Sequence, residues 1–321
     1  MNLLKKVDKP DMALEAAEKQ RGMHWALELL VFVAVFIVSS IAEAIIVAPG
    51  TMVLLFTNAD YMNATARQDL TGAMEIANAI LSSDVSIIVN LLATLMMIIV
   101  VFVFCRFIQK RPLRTLGFKK EGIVKEYVIG IVTGFLVFSA AVLLCVVTGA
   151  LRLHGLSSTF SVGIFLLYVA GFMIQGMAEE VLCRGYFMVS MARRYPIVFA
   201  ILANALLFAL LHLLNSGITV LAFFNLVLFG VFASLYFLRR GSIWGIGAFH
   251  SVWNLVQGNF YGILVSGIET QSSVLRSEMV TGKEIWNGGA FGLEGGLGVT
   301  IVYLTGIFVL LVLKKKEAVS E

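Results

Sequence analysis

Charge is scarce in this chain. Asp, Glu, Lys and Arg make up 14% of its 321 residues and hydrophobic residues 59%, where soluble domains run near 25% and 45–50%. With a mean hydropathy of +0.92, that deficit excludes a soluble domain with an ordinary core and implies a membrane protein. Cysteine is scarcer still. The three present, Cys105, Cys145 and Cys183, lie in or beside apolar runs. Their odd number and the lack of a CxxC pair exclude a disulfide framework and a thiolate zinc site. The net charge of +4 is too small to call for a nucleic-acid partner. Lipidation signals are missing at both ends. The first 24 residues are polar and of mixed charge, whereas a signal peptide reaches its apolar core sooner. The first apolar run is therefore expected to be a retained helix.

What is there instead is long apolar runs. Eight stand out, at 25–48, 85–105, 127–148, 161–191, 197–214, 218–238, 243–262 and 297–313. Each is read as a helix crossing a hydrocarbon core of about 30 Å. The connections test that reading. Segments 1–24, 106–126, 192–196, 239–242 and 314–321 hold 19 Lys/Arg, and the alternate connections 49–84, 149–160, 215–217 and 263–296 hold four. The positive-inside rule puts the first set in the cytoplasm. The expectation is an all-α polytopic bundle of about eight transmembrane helices with both termini cytoplasmic. Residues 1–24 are a cytoplasmic tail, 25–313 the membrane domain and 314–321 a basic cytoplasmic tail. The lipid bilayer is its first partner.

Two weaker features are set aside. The run "NGGAFGLEGGLG" in 263–296 lacks the GK[ST] ending and preceding strand of a phosphate loop, so a flexible surface loop is expected. Asn63-Ala-Thr65 matches a glycosylation acceptor, a pattern that chance supplies often. No internal repeat is visible, which disfavours transporters built from inverted halves.

Inside the membrane, ionisable groups carry the information. The 26 residues from Leu153 to Ala178 hold no charge, and "EEVLCRG" follows. Glu179 lies roughly 20 Å from the cytoplasmic edge at 1.5 Å per residue, where an uncompensated charge costs about 2.5–3.5 kcal/mol on insertion scales. Glu180 and Arg184, four apart, share a helix face and can pair. Glu179 is turned about 100° away and keeps no such partner. Of four histidines, His24 and His154 lie in the tail and an outer connection and read as solvated polar groups. His212 closes "FALLH" one turn after Phe208, and His250 opens "HSVWN" one turn before Asn254. Within boundary error, Glu179, His212, His250 and Asn254 share one depth on three helices. Asn204 and Asn225 read as interhelical hydrogen-bonders, and Cys183 as inert.

This set allows two chemistries. A carboxylate in a low-dielectric cavity becomes a competent base near neutral pH, and with a neutral imidazole it could take a proton from water that attacks a carbonyl. The second histidine and the asparagine amide are donors of the kind a developing oxyanion needs. Alternatively, Glu179, His212 and His250 are a three-ligand zinc set with an open position for water. The absence of HExxH favours the metal-free route. Other classes remain: a proton-coupled transporter using the same groups as a relay, or a non-catalytic membrane scaffold or immunity protein.

The motifs EExxxR, FxxxH and HxxxN, met in order as "EEVLCRG", "FALLH" and "HSVWN", resemble those of the CPBP family. These are the CAAX prenyl endopeptidase and bacteriocin-processing intramembrane proteases, also called the Abi family. The motifs cover 179–254, the core extends over about 161–262, and "RPLRTLGF" also looks familial. The resemblance implies an intramembrane endopeptidase acting on a peptide or membrane-tethered protein. It implies Glu179 as base, His212 holding the water, and His250 and Asn254 stabilising the oxyanion. Glu180, Arg184 and Phe208 would support the site. A bacterial plasma membrane suits the layout, with bacteriocin maturation or self-immunity among the roles of bacterial members.

Overall fold

The computed structural model describes residues 9–312; the basic segment 314–321 lies outside the described residues. The part of the N-terminal segment within them is not a free tail. Helix α1 (Asp11–Lys19) buries Met12, Ala13 and Ala16, and a buried ion pair fastens the chain that follows it. Arg193 donates to Glu28 Oε1 at 2.9 Å and to the Gln20 carbonyl at 3.3 Å. An i, i+3, i+4 apolar stripe inside the mixed-charge stretch is what allows α1 to dock.

Helix α2 (Trp25–Thr57) begins where His24 accepts from the Ala26 N–H, and it runs 33 residues through Pro49. At 1.5 Å per residue that is about 50 Å, longer than a hydrocarbon core of about 30 Å. Its exposed face carries Leu30, Ile37, Ile41, Ile45 and Phe56, a surface that only lipid would solvate. Two short helices follow, α3 (Ala59–Ala66) and α4 (Leu70–Leu81). Then α5 (Asp84–Ala93) and α6 (Leu95–Val103) form one helical stretch to Ile108 through a final π-helical turn. Helix α7 (Ile123–Val147) leads into strand β1 (Leu151–Leu156).

The second half builds the site. Helix α8 (Val162–Glu180) continues as a π-helical segment, Val181–Met188, into α9 (Val189–Ala192). Helices α10 (Ile197–Leu211), α11 (Val220–Arg240) and α12 (Ile243–Leu255) come next, with a second π-helical turn, Val256–Phe260, at the end of α12. Strand β2 (Leu275–Met279), the short α13 (Glu284–Asn287) and α14 (Leu297–Val312) complete the chain.

All eight apolar runs are helical, but they differ in reach. Five stretches are long and apolar enough to cross a membrane: Trp25–Thr57, Asp84–Ile108, Ile123–Val147, Val162–Ala192 and Val220–Arg240. Helix α10 has 15 residues, about 22 Å. Helix α10 and the 13-residue α12 are the more buried members of the bundle, and length alone does not carry α10 across. The chain is a multi-pass, predominantly helical membrane protein.

Close backbone approach sets the centre. Helix α12 packs between α7 and α8. A Cβ on Gly130 would come 2.2 Å from the Gly245 carbonyl oxygen, and one on Gly176 would come 2.5 Å from the Ser251 nitrogen. Glycine is therefore required where these helices cross, the small-residue packing expected when lipid offers no hydrophobic drive between helices. Strands β1 and β2 pair antiparallel with Leu151 opposite Met279. This joins two connections that the cation count assigns to the same side of the membrane. The glycine-rich run is not a flexible surface loop: Phe291–Gly296 is buried. Gly288 and Gly292 sit at φ 79° and 92°, where an added Cβ would strike a backbone carbonyl at 2.0 Å or less. The glycines let this segment fold tightly into the protein rather than leave it.

Candidate active site

The uncharged stretch before "EEVLCRG" runs into helix α8, whose last two residues are Glu179 and Glu180. The helix then widens. In the π-helical segment Arg184 still reaches back one turn to Glu180 Oε1 at 2.9 Å, and both side chains are fully buried. Such widened turns recur at functional sites. Arg111, from "RPLRTLGF", braces this segment by donating to the Gly185 carbonyl at 2.9 Å and to Ser190 Oγ at 3.2 Å. Two rings cover the other side of Arg184: its guanidinium carbon lies 4.6 Å from the Phe208 centroid and 5.2 Å from that of Phe229. A buried cation is thereby paired with one carboxylate and two π faces.

Glu180 has a second partner. His250 Nδ1 lies 2.9 Å from Glu180 Oε1. A carboxylate oxygen accepts, so Nδ1–H donates and Nε2 is left to face the other way. There, Nε2 lies 3.8 Å from Glu179 Oε2. The adjacent glutamates thus flank one imidazole from opposite sides and differ in their surroundings. Glu180 is sealed in, whereas Glu179 is 24% exposed at its side chain.

Glu179 is held by one oxygen. Gln175, one turn earlier, donates from Nε2 to Glu179 Oε1 at 2.5 Å. Gln175 Oε1 in turn accepts from Asn254 Nδ2 at 2.9 Å. Asn254, Gln175 and Glu179 therefore form a chain of donors that fixes Oε1 and leaves Oε2 without a hydrogen-bond partner. His212 stands at the C-terminal end of α10, where its Nδ1 lies 2.8 Å from the Phe208 carbonyl oxygen. A carbonyl can only accept, so Nδ1 carries the proton and Nε2 presents a lone pair.

Glu179, His212, His250 and Asn254 all line one cavity of about 120 Å³, together with Gln175, Phe208, Phe229 and Glu294. The four residues singled out by spacing are thus brought together from α8, α10 and α12. The proposed zinc set is not. Among the described residues no three His, Cys, Asp or Glu side chains converge on a point that could hold a metal ion. Glu179, His212 and His250 line one cavity without forming such a group.

Gln175 and Glu294 are among the cavity residues that spacing did not single out. Gln175 was legible as the one long polar side chain in its stretch of α8, four residues before Glu179. Glu294 comes from the glycine-rich run. Its Oε2 accepts from the Ser266 N–H at 2.9 Å and Ser266 Oγ at 2.6 Å, and its Oε1 from Trp253 Nε1 at 3.3 Å. Nothing in local spacing foretold it, because loop folding brings it in. Asn204 and Asn225 do bond between elements, to Ser234 Oγ and to the Glu294 and Gly296 carbonyls. Cys183 is buried and free.

Comparison with known proteins bears on this geometry. No curated protein and no solved structure matches the chain. Residues 161–256, which build most of the cavity, match the model of the Rce1-like type II CAAX prenyl endopeptidases.

Proposed function

We propose that the protein is an intramembrane endopeptidase that hydrolyses a peptide bond in a peptide or membrane-tethered protein, with Glu179 as base. The observation that carries this reading is the contrast within Glu179. One carboxylate oxygen is anchored by Gln175, and the other, 3.8 Å from His250 Nε2, has no hydrogen-bond partner. That is the state of a base prepared to take a proton.

The remaining groups fit the steps of hydrolysis. Water bound between Glu179 Oε2 and His212 Nε2 would offer one hydrogen to each acceptor, turning its oxygen toward a substrate carbonyl. Glu179 takes a proton as the water oxygen bonds to the carbonyl carbon. Negative charge then develops on the carbonyl oxygen, where donors fixed in advance are most effective. Asn254 Nδ2 has a second hydrogen beyond the one given to Gln175. His250 becomes a donor at Nε2 when it carries both protons, and the group Glu179, Glu180, Arg184 and His250 is then electrically balanced. Collapse of the tetrahedral intermediate breaks the C–N bond, and Glu179 returns its proton to the leaving amine.

On this reading residues 25–313 are one membrane domain whose catalytic core spans about 161–262. A bacterial plasma membrane suits the chain, with peptide maturation or self-immunity against a bacteriocin as the biological setting. The deciding experiment uses purified protein in lipid nanodiscs, membrane-anchored peptides and heavy-oxygen water. Hydrolysis puts one heavy oxygen into the new carboxylate of the N-terminal product. Intact peptides, with peptide or proton flux across proteoliposomes instead, would replace the protease by a transporter.

A further inference from the structure

Helix α2 contains a single ionisable group between Leu29 and Thr57, and that group is Glu43. A carboxylate in the middle of a membrane helix is costly and generally faces a partner or a water-filled space. Among the described residues no ion pair includes Glu43, and its Oε1 is buried without a hydrogen-bond partner. The neighbouring polar residues do not answer it. Ser39 and Ser40 bond back to the carbonyls of Val35 and Phe36, and Asn90 and Thr94 to those of Ser86 and Leu91.

Glu43 lines a second cavity, of about 680 Å³, that adjoins the catalytic one. The two share Ile87, Leu91, Gln175 and Ile268 as walls, so the same Gln175 that holds Glu179 also borders the space in front of Glu43. The second cavity has no Lys, Arg or His in its lining, and its other charged residue is Glu269, another carboxylate. Arg184, a cation within the membrane core, is locked to Glu180 behind Phe208 and Phe229. Among the described residues, nothing in the lining of this cavity offers Glu43 a counter-charge.

We propose that this second cavity is a substrate subsite in which Glu43 receives a cationic group of the substrate, a Lys or Arg side chain or a free amine. The inference rests on the endopeptidase reading and narrows it: the scissile bond lies within reach of a basic residue. An ion pair in a low-dielectric cavity is stronger than the same pair in water, and removing one partner from such a desolvated pair costs heavily. The subsite therefore selects, and it adds affinity for a peptide that would otherwise be chosen by hydrophobicity alone.

The test uses capped Leu/Ala peptides carrying one Lys, or norleucine in its place, scanned along the sequence. Binding is measured by photocrosslinking to the Glu179→Gln protein in nanodiscs, and cleavage with the native protein. At one position Lys should outbind norleucine by roughly tenfold or more and raise kcat/KM in step. Adding Glu43→Gln should bring that ratio to one, while Glu43→Asp, which keeps the charge, should retain a preference. Equal binding of Lys and norleucine at every position would overturn the subsite. So would a Lys preference that survives Glu43→Gln, or binding of neither peptide. Lys-selective binding that depends on Glu43 but leads to no cleavage would keep the subsite and sink the endopeptidase reading. The two failures are thus distinguishable.

Discussion

Two buried arginine–glutamate pairs invite comparison. Arg193 meets Glu28 and Arg184 meets Glu180, both at 2.9 Å and both almost entirely out of solvent. The first joins residues far apart in the chain and is surrounded by backbone. Arg193 also donates to the Ser190 and Gln20 carbonyls, and Glu28 accepts from the Met23 N–H. It is a clasp between the N-terminal segment and the end of the α8–α9 stretch. The second pair is local, one helical turn, and needs no clasp. Its surroundings are two aromatic rings and an imidazole. The same two side chains thus close a structure in one place, and in the other orient a histidine toward a free carboxylate. Pairing alone says little about function; what the pair's remaining valences touch says more.

The largest effect should come from the glutamate outside both pairs. Glu179→Gln removes the proton acceptor while keeping shape and the bond from Gln175. Cleavage should fall by about 10²–10⁴-fold, the share a general base supplies, with folded yield in detergent unchanged. A mutant that loses folded protein as well would make Glu179 a structural member of the cluster.

Breaking the pairs sharpens the comparison. Glu28→Ala and Glu180→Ala each strand a buried arginine, and removing one partner of such a pair costs about 3–5 kcal/mol. Both should lower the melting temperature and the yield. They should part in activity per folded molecule. Glu28→Ala should retain it, and Glu180→Ala should lose most of it, because His250 loses the acceptor that fixes its ring. Equal specific activities in the two folded variants would reduce Glu180 to a second clasp.

Asn254→Ala should come next. It removes one oxyanion donor, typically about 10²–10³ in turnover, and also the donor that steadies Gln175. The signature is a fall in kcat with little change in KM. A rise in KM alone would move Asn254 from the reacting oxygen to peptide binding.

How much of this was legible in the sequence follows from the reach of each signal. Helical spacing correctly paired Glu180 with Arg184 and separated Glu179 from them, since one turn of helix fixes both facts. Depth counting placed Glu179, His212, His250 and Asn254 near one level, and one cavity brings them together. Hydropathy located all eight helical runs, but not that α10 is only 15 residues long. Composition misled for the glycine-rich run, where positive φ serves tight burial rather than mobility. It also gave no hint that this run supplies Glu294. The bond from Glu180 to His250 links α8 to α12 across 70 residues of chain, and no periodicity carries information over that distance.

The smallest expected effect is that of metal removal. Zinc catalysis needs three protein ligands on one ion with a position left for water. No three candidate side chains converge in that way among the described residues. Dialysis against a strong chelator should therefore leave cleavage within experimental scatter, and purified protein should carry no stoichiometric metal. His212→Ala should still reduce turnover, since it removes the acceptor that steadies the attacking water. That loss should be independent of added zinc. Stoichiometric zinc in the native protein, lost together with activity in His212→Ala, would mean that the cavity contracts around an ion. Glu179 and His250 would then have to give up the separation that now distinguishes the base from its neighbour.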